Sequence, residues 1–430
     1  MLKKTLIAVT VLLAALIVAV VLWLNQERFF GRMVMPEDTL AFAEQIKQVR
    51  ATQKWSDASD YEPQLRRNTL LKSQRLGCGF LYNNQKPEGN FNYEYDYVKR
   101  TQSEGDNQVR QAGALWGVAL CHSFDPTSES RKALEKGLDF FFRYTRDGPD
   151  DSLCVYYPGQ KTMATGTMAL VSLAIIEYLR FEQELPDARR AELLEKLDGY
   201  LKFIKAMQFT AGDFSYGMTR PLKVKVGRSS PYFDGESQLA LAKAIKVLGK
   251  TEYLPTLKKA VAKTAKKYTV DAWREDRQDS DLTKSFHQWG SMAFWEYQDA
   301  GWEHSDAYAD TVVALGWWMI YTHHTLRRTR NTAYAYEGLV HSYRLAKSQG
   351  DTVAAADLAR VIDKGLSKLT SWQVEGPLRR ENSFLRKHRT DDPLAIGGIM
   401  NHRREPGLRI DVTQHQMHAV ILALQHVYAE

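Results

Sequence analysis

Cysteine is scarce in this chain: Cys78, Cys121 and Cys154 are the only three among 430 residues. They are too few and too widely spaced for a zinc motif, and they exclude a small disulfide-framed scaffold. An oxidising compartment permits one disulfide and one leftover thiol, and the sequence leaves the pairing open. No Pro-, Ser- or Gly-rich stretch divides the chain, so its length does not require several domains. Charge of one sign is not dominant either, since the formal net charge is only +7. Long uncharged runs are absent with a single exception. Thr5–Leu24 is about twenty residues long, enough to cross a hydrocarbon core as a helix. Its end, Val21-Leu22-Trp23-Leu24, offers no small-x-small cleavage site, which favours an uncleaved anchor over a signal peptide. Lys3 and Lys4 precede the run, whereas Glu27 partly offsets Arg28 and Arg32 after it. The positive-inside tendency then places residues 1–4 in the cytoplasm, 5–24 in a bacterial inner membrane and the rest in the periplasm. Residues 25–59 read as a juxtamembrane linker and helix, and 60–430 as the folded domain.

What is present is an alternation. Six segments rich in small and aromatic residues begin near Asn107, Thr162, Asp234, Ser285, Asn331 and Asp411. The first five are followed by helices charged on one side: Glu129–Thr145, Asp187–Met207, Tyr253–Val270, Ser305–Thr325 and Thr352–Ser371. The sixth ends the sequence, so its outer partner is expected from Thr39–Lys54 or Tyr61–Leu76. The pattern predicts an all-α ring of six helical hairpins, an (α/α)6 toroid, with the small and aromatic helices inside. Gly113, Gly166, Gly235, Gly290 and Gly338 leave room near the axis, at some cost in helix propensity. Connections between hairpins are long and converge on one rim, which is where a site is expected.

At that rim, Asn90–Tyr97 alternates strictly and predicts an arm of a small β-hairpin, with Gly79–Asn83 before its turn. Phe91, Tyr93, Tyr95 and Tyr97 share one face, and Asn92, Glu94 and Asp96 the other. Arg110 sits one turn into the first inner helix, where an arginine needs a carboxylate, from Glu94, Asp96 or a ligand. Ser229–Gln238 is the densest cluster, with Tyr232 before Asp234 at the expected helix entrance and Glu236 inside its first turn. An N-cap role explains Asp234 as well as catalysis does. Helical spacing points Asp234 and Glu236 in different directions, so either would work with Glu94 or Asp96 across the cavity. Other entrances contribute Tyr157, Tyr216, Arg228, His287, Trp289, Arg330, Asn331, Tyr334, Asp411, Gln414 and His415. His415 and His418 lie one turn apart, but no third metal ligand is placed by spacing, and neither metal nor cofactor is expected. Aromatics at these positions stack on sugar rings in some proteins and simply pack in more.

The alternating helices, with acidic and aromatic residues before the inner ones, resemble the six-hairpin toroids of carbohydrate-active enzymes over residues 60–430. That resemblance implies glycoside hydrolysis, uronate epimerisation or β-elimination at the rim. It supports Asp234, Glu236, Glu94 and Asp96 as catalytic candidates by position. Terpene-cyclase and prenyltransferase toroids are less similar, for want of an Asp-x-Asp-Asp run, and lanthionine cyclases for want of Cys and His ligands. Asn401-His402 with a rim tyrosine keeps a lyase in play. The expected function is a membrane-anchored enzyme acting on an anionic polysaccharide, foremost as a hydrolase with paired carboxylates. A C5-epimerase or lyase is the alternative. The rival outside enzymes is a binding or scaffold component among envelope polysaccharide synthesis or export proteins. Nucleic acid is not an expected partner outside the cytoplasm.

Overall fold

The computed structural model describes residues 36–51, 62–220, 223–273 and 276–428. Thr5–Leu24 lies outside this set, and among the described helices none is long and apolar enough to cross a membrane. In chain order the main helices are α1 Pro36–Ala51, α2 Arg67–Asn83, α3 Gln108–Phe124, α4 Ser128–Arg143, α5 Thr165–Phe181, α6 Asp187–Met207 and α7 Pro231–Leu248. They continue as α8 Leu254–Ala265, α9 Asp281–Asp299, α10 Ser305–Tyr321, α11 Ala333–Ser348, α12 Thr352–Thr370, the short α13 Ser383–Lys387 and α14 Ile410–His426. Helices α3, α5, α7, α9, α11 and α14 each pack on the next, and α14 packs back on α3, which closes the inner ring. The remaining long helices form the outer layer. Inner helices are buried almost all round, because lumen, ring neighbours and outer layer cover every face; in α5, Thr165–Leu179 are all buried. Outer helix α4 carries one apolar stripe, Ala133, Leu134, Gly137, Leu138 and Phe141, whereas α10, expected to be charged on one side, is buried from Thr311 to Tyr321 because α1 covers it.

Side-chain caps mark some helix starts, while α5, α7, α11 and α14 begin without one. Asn107 accepts from the Val109 and Arg110 amides at the head of α3, and Thr127 with Ser130 forms a capping box on α4. Several expected entrances are displaced. Helix α7 opens at Pro231 behind Ser230, so Asp234 is inside the first turn and is no cap. Helix α9 opens four residues before Ser285, with Ser280 accepting from Leu282. Thr162 belongs to a strand that precedes α5. Gly79–Asn83 is helical, since the buried series Leu70, Gln74, Gly77, Cys78 and Leu81 carries α2 through it. Of the two candidates for the sixth outer helix, α2 packs on α14. Helix α1 instead lies on α10, with Phe42 against Trp273 at 5.9 Å and Arg50 paired to Asp357 at 3.1 Å. A disulfide joins Cys78 of α2 to Cys121 of α3, and Cys154 is free and buried.

Strands are short and confined to the rim: β1 Glu94–Asp96, β2 Thr101–Gln102, β3 Thr145–Asp147, β4 Leu153–Val155, β5 Thr162–Ala164, β6 Gly217–Thr219 and β7 Gly407–Arg409. The order β2-β1-β7 ties the expected hairpin to the entrance of α14, with Tyr95 opposite Leu408. One turn recurs three times. Gln85, Gln208 and Gln373 each follow an outer helix and pair by a β-bridge with Phe91, Phe214 and Ile399. Each glutamine donates to two backbone carbonyls, one on the next outer helix: Ala133 at 2.8 Å, Thr256 at 2.9 Å and Ser73 at 2.9 Å. The amides of Phe91, Phe214 and Ile399 donate in turn to Gln111, Asp234 and Thr413, each the fourth residue of an inner helix. The third copy joins the C-terminal part of the ring to α2. The turns need glycine at Gly89, Gly212 and Gly397, where φ is +112°, +116° and +85°.

Candidate active site

All six inner helices present their N-termini at the rim, and a cavity of about 510 Å³ opens between them. Among the sequence-derived candidates it is lined by Arg110, Tyr216, Tyr232, Glu236, Trp289, Arg330, Asn331, Tyr334, Asn401, Asp411, Gln414 and His415. Val109, Lys284, Gln288 and Arg409 also contribute. Glu94, Asp96 and Asp234, expected to share the catalysis, are not among the lining residues. Asp234 faces the outer layer, where its carboxylate accepts from the Phe214 amide at 2.6 Å and from the Tyr268 hydroxyl. Burial pushes its pKa up to about 7, against those two hydrogen bonds and nearby Lys267. Asp96 accepts from the Val98 and Lys99 amides in the turn after β1.

Of the four acids expected to share the catalysis, Glu236 is the one that reaches the lumen. It is 3% exposed, its Oε2 has no hydrogen-bond partner, and burial alone pushes its pKa up to about 8. A carboxyl in that state is protonated at neutral pH and can donate a proton. Gly166 of α5 makes the space, since a Cβ there would stand 2.3 Å from Glu236 Oε2. Gln414 Nε2 is a second buried polar atom without a partner.

Helix α14 occupies the opposite position in the ring from α7. Asp411 at its entrance is clamped by Arg409, at 2.6 and 2.9 Å, and by Arg110 at 3.2 Å. Burial opposes ionisation, but the two guanidinium groups hold its pKa below the usual carboxylate range. The carboxylate sought for Arg110 is therefore Asp411 and neither Glu94 nor Asp96; Tyr93 contacts the same arginine. One turn further, His415 hydrogen-bonds through Nδ1 to Glu337 of α11 at 3.1 Å, and His418 does so at 2.9 Å. Burial lowers the His415 pKa, and the charge of Glu337 outweighs it to give a net rise. With Nδ1 committed, Nε2 is the ring nitrogen left for chemistry. Glu337 was missed because a glutamate in mid-helix among Tyr334, Tyr336 and Leu339 carries no local signal.

The remaining candidates support the wall. Tyr216 packs on Phe233 at 4.6 Å beneath the Arg228 guanidinium. Tyr157 is buried, donates to Asp106 at 2.7 Å and does not line the cavity. His287 is fully buried with neither ring nitrogen bonded, and burial depresses its pKa to about 3. His402 pairs by a β-bridge with Arg330, which brings the 401–402 segment to the lip.

No protein-family model and no curated protein sequence matches the chain. Solved structures do. A D-mannose isomerase superposes with a TM-score of 0.59 at 12% identity, covering 87% of this chain and 100% of its own. For the cellobiose 2-epimerase of Bacillus thermoamylovorans the values are 0.57, 9%, 82% and 98%. An inactive variant of the α-1,6-mannanase from Salegentibacter sp., in complex with α-1,6-mannotetrose, gives 0.54, 8%, 84% and 98%. At these identities the likeness establishes the (α/α)6 toroid fold.

Proposed function

We propose that this chain is a carbohydrate-active enzyme that moves a proton on a sugar, with Glu236 as acid and His415 as base. The observation that carries this reading is the pair itself. A buried, unpartnered carboxyl on α7 faces the same cavity as a histidine on α14 whose Nδ1 is fixed by Glu337. Abstraction of a C–H proton next to a carbonyl or carboxylate needs a base of this kind opposite an acid that can stabilise the developing oxyanion. Gln414 Nε2 and Glu236 Oε2 are buried polar atoms that sugar hydroxyls would satisfy. The exposed Arg330 gives the lip a positive charge suited to an acidic sugar. The structural neighbours, a D-mannose isomerase, a cellobiose 2-epimerase and a mannanase variant in complex with mannotetrose, support a saccharide ligand.

Hydrolysis by two carboxylates is the second reading, with Asp411 serving opposite Glu236. Their origin on opposed helices favours it, but the double arginine clamp on Asp411 weakens a base or nucleophile. Incubating D-mannose, cellobiose and glucuronate-containing oligosaccharides with the protein in D₂O separates the two. Deuterium at a sugar carbon, lost in Glu236→Gln and His415→Gln, is the expected result; new reducing ends without carbon-bound deuterium would establish hydrolysis instead. Absence of both with every sugar overturns the enzyme reading in favour of a binding protein.

The extracytoplasmic, membrane-anchored placement is part of the same proposal. It is supported by the uncharged Thr5–Leu24 run and by the Cys78–Cys121 disulfide, a bond that persists in oxidising compartments. A reporter fused after Glu430 should be active only outside the cytoplasm, and cytoplasmic activity would reject it.

A further inference from the structure

A basic surface runs outward from the cavity along the rim, and the proposed proton transfer leaves it without a role. Arg330 lines the cavity, and beyond it Arg327, Arg380, Arg386, Lys387, Arg403 and Arg404 are all exposed. They come from three segments that the backbone ties together. Arg330 pairs by a β-bridge with His402, and the Asn331 amide donates to the Asn401 carbonyl at 2.8 Å. Asn382 Nδ2 donates to the Arg403 carbonyl at 3.2 Å, and Arg386 to the Arg380 carbonyl at 2.6 Å. The lip is therefore one continuous surface.

Nearby carboxylates do not balance it. Glu375 is held by Arg379 and Arg389, Asp391 stands 4.0 Å from Arg100, and Glu405 lies 3.5 Å from His402. Glu381 is exposed on the same surface and offsets a single charge. Among the described residues, none of the lip cations from Arg327 to Arg404 named above has a carboxylate at ion-pairing distance. The excess charge also acts inside the fold. Lys368, which donates to the Leu326 and Arg328 carbonyls, has its pKa lowered by burial and by the charge of Arg403. Cations held this close repel one another, and a ligand of opposite sign relieves the repulsion.

An anionic membrane and an anionic saccharide chain both carry such charge. The exposed large apolar side chains among the described residues are Val98, Val224, Tyr232, Leu282 and Val353, and the three basic segments hold none of them. A surface that enters a lipid interface buries apolar area as well as charge, which this lip does not offer. Its continuity with the cavity through Arg330 and Asn401 favours a chain that leaves the cavity over it. Resting on the reading of that cavity as a saccharide site, we infer that the lip binds a polyanionic saccharide chain, whose carboxylate or sulfate groups meet these arginines while one sugar unit occupies the cavity. The substrate is then a polymer or long oligomer and no free monosaccharide. Arginine suits the task, because its planar guanidinium pairs with such oxyanions through two parallel hydrogen bonds.

Arginine footprinting with phenylglyoxal, read by peptide mass spectrometry on the full chain in phosphatidylcholine discs, tests this without turnover. Polygalacturonate or dextran sulfate should protect Arg330, Arg403 and Arg404 together, whereas galacturonic acid should protect Arg330 alone. Protection confined to Arg330 with every probe would overturn the chain-binding lip and leave the cavity reading standing; protection of none of the three would reject an acidic ligand in both places. Protection of Arg403 and Arg404 by phosphatidylglycerol discs, with no saccharide added, would assign the lip to lipid instead. In Arg380→Gln/Arg403→Gln/Arg404→Gln the Kd for the protecting polymer should rise roughly 10-fold, the scale of several exposed charge pairs lost together. Lys132→Gln/Lys202→Gln/Lys205→Gln removes equal charge from α4 and α6 and should leave that Kd unchanged. An equal rise in this control, or none in the folded arginine variant, rejects the site. Failure of deuterium exchange on sugar carbons leaves the footprint unaffected, so the two readings fail separately.

Discussion

Asp234 and Glu236 stand two residues apart and face opposite sides of the same helix. Asp234→Asn retains one oxygen for the Phe214 amide but disturbs the bond to Tyr268. It should lower unfolding stability by about 1–3 kcal/mol with turnover nearly intact. Glu236→Gln should keep the fold and lose at least ~10²-fold in turnover, the scale of a missing general acid. Denaturant melts and initial rates on both variants check this, and comparable rate losses in the two would refute the division of labour. Glu236 also predicts a pH signature. Its folded pKa of about 8 lies above the ordinary glutamate value of 4.5, so the native state holds the proton more tightly than the unfolded chain. That stabilisation is complete below the unfolded pKa, shrinks as pH rises and is gone above about 8. Glu236→Gln abolishes this dependence, so its melting temperature should gain on the wild type between pH 5 and pH 9; a constant difference would contradict the burial argument. The sequence marked both acids but could not assign their faces. Opening the helix at Pro231 shifts the frame by three residues, and about 100° per residue turns Asp234 away from the lumen.

At the level of elements, the recurring glutamine turn explains how long connections stay on the rim. Gln85→Ala and Gln208→Ala each strip hydrogen bonds from two backbone carbonyls, and each should cost about 1–3 kcal/mol. The two turns share no contacting residue, so the double variant should show the sum within about 0.5 kcal/mol in denaturant melts; a strong departure would show that they act as one unit. Gly212→Ala should cost more than either, because a Cβ there meets the Lys259 carbonyl at 2.6 Å as well as adopting a left-handed backbone. Two copies were legible as Gln-x-x-x-Gly-x-Phe at 85–91 and 208–214 and went unread. The third was hidden, since the chain between Gln373 and Gly397 is long and carries α13. Helix α6 was read to the residue because Pro186 and the charged stripe bracket it. The end of α2 was misread because Phe80 and Tyr82 look as much like strand as helix residues.

On the scale of the whole molecule, the ring is closed by contact between distant parts of the sequence. The Cys78–Cys121 bond spans 43 residues, and loop entropy assigns it about 4 kcal/mol of stabilisation. Reduction should lower the denaturation midpoint accordingly, and thiol counting after unfolding should find one free sulfhydryl before reduction and three after. An unchanged midpoint would mean that the native contacts of α2 and α3 already restrain the unfolded chain. Closure also imposes an order of events during synthesis. Helix α14 is the last of the described helices to leave the ribosome, and its outer partner α2 is among the first. Until α14 arrives, α3 and α11 lack a neighbour, Glu337 has neither histidine, and the wall opposite Glu236 does not exist. A chain in which α14 has not yet docked therefore holds five of the six inner helices but no rim cavity, and the cavity forms in one step when α14 closes the ring.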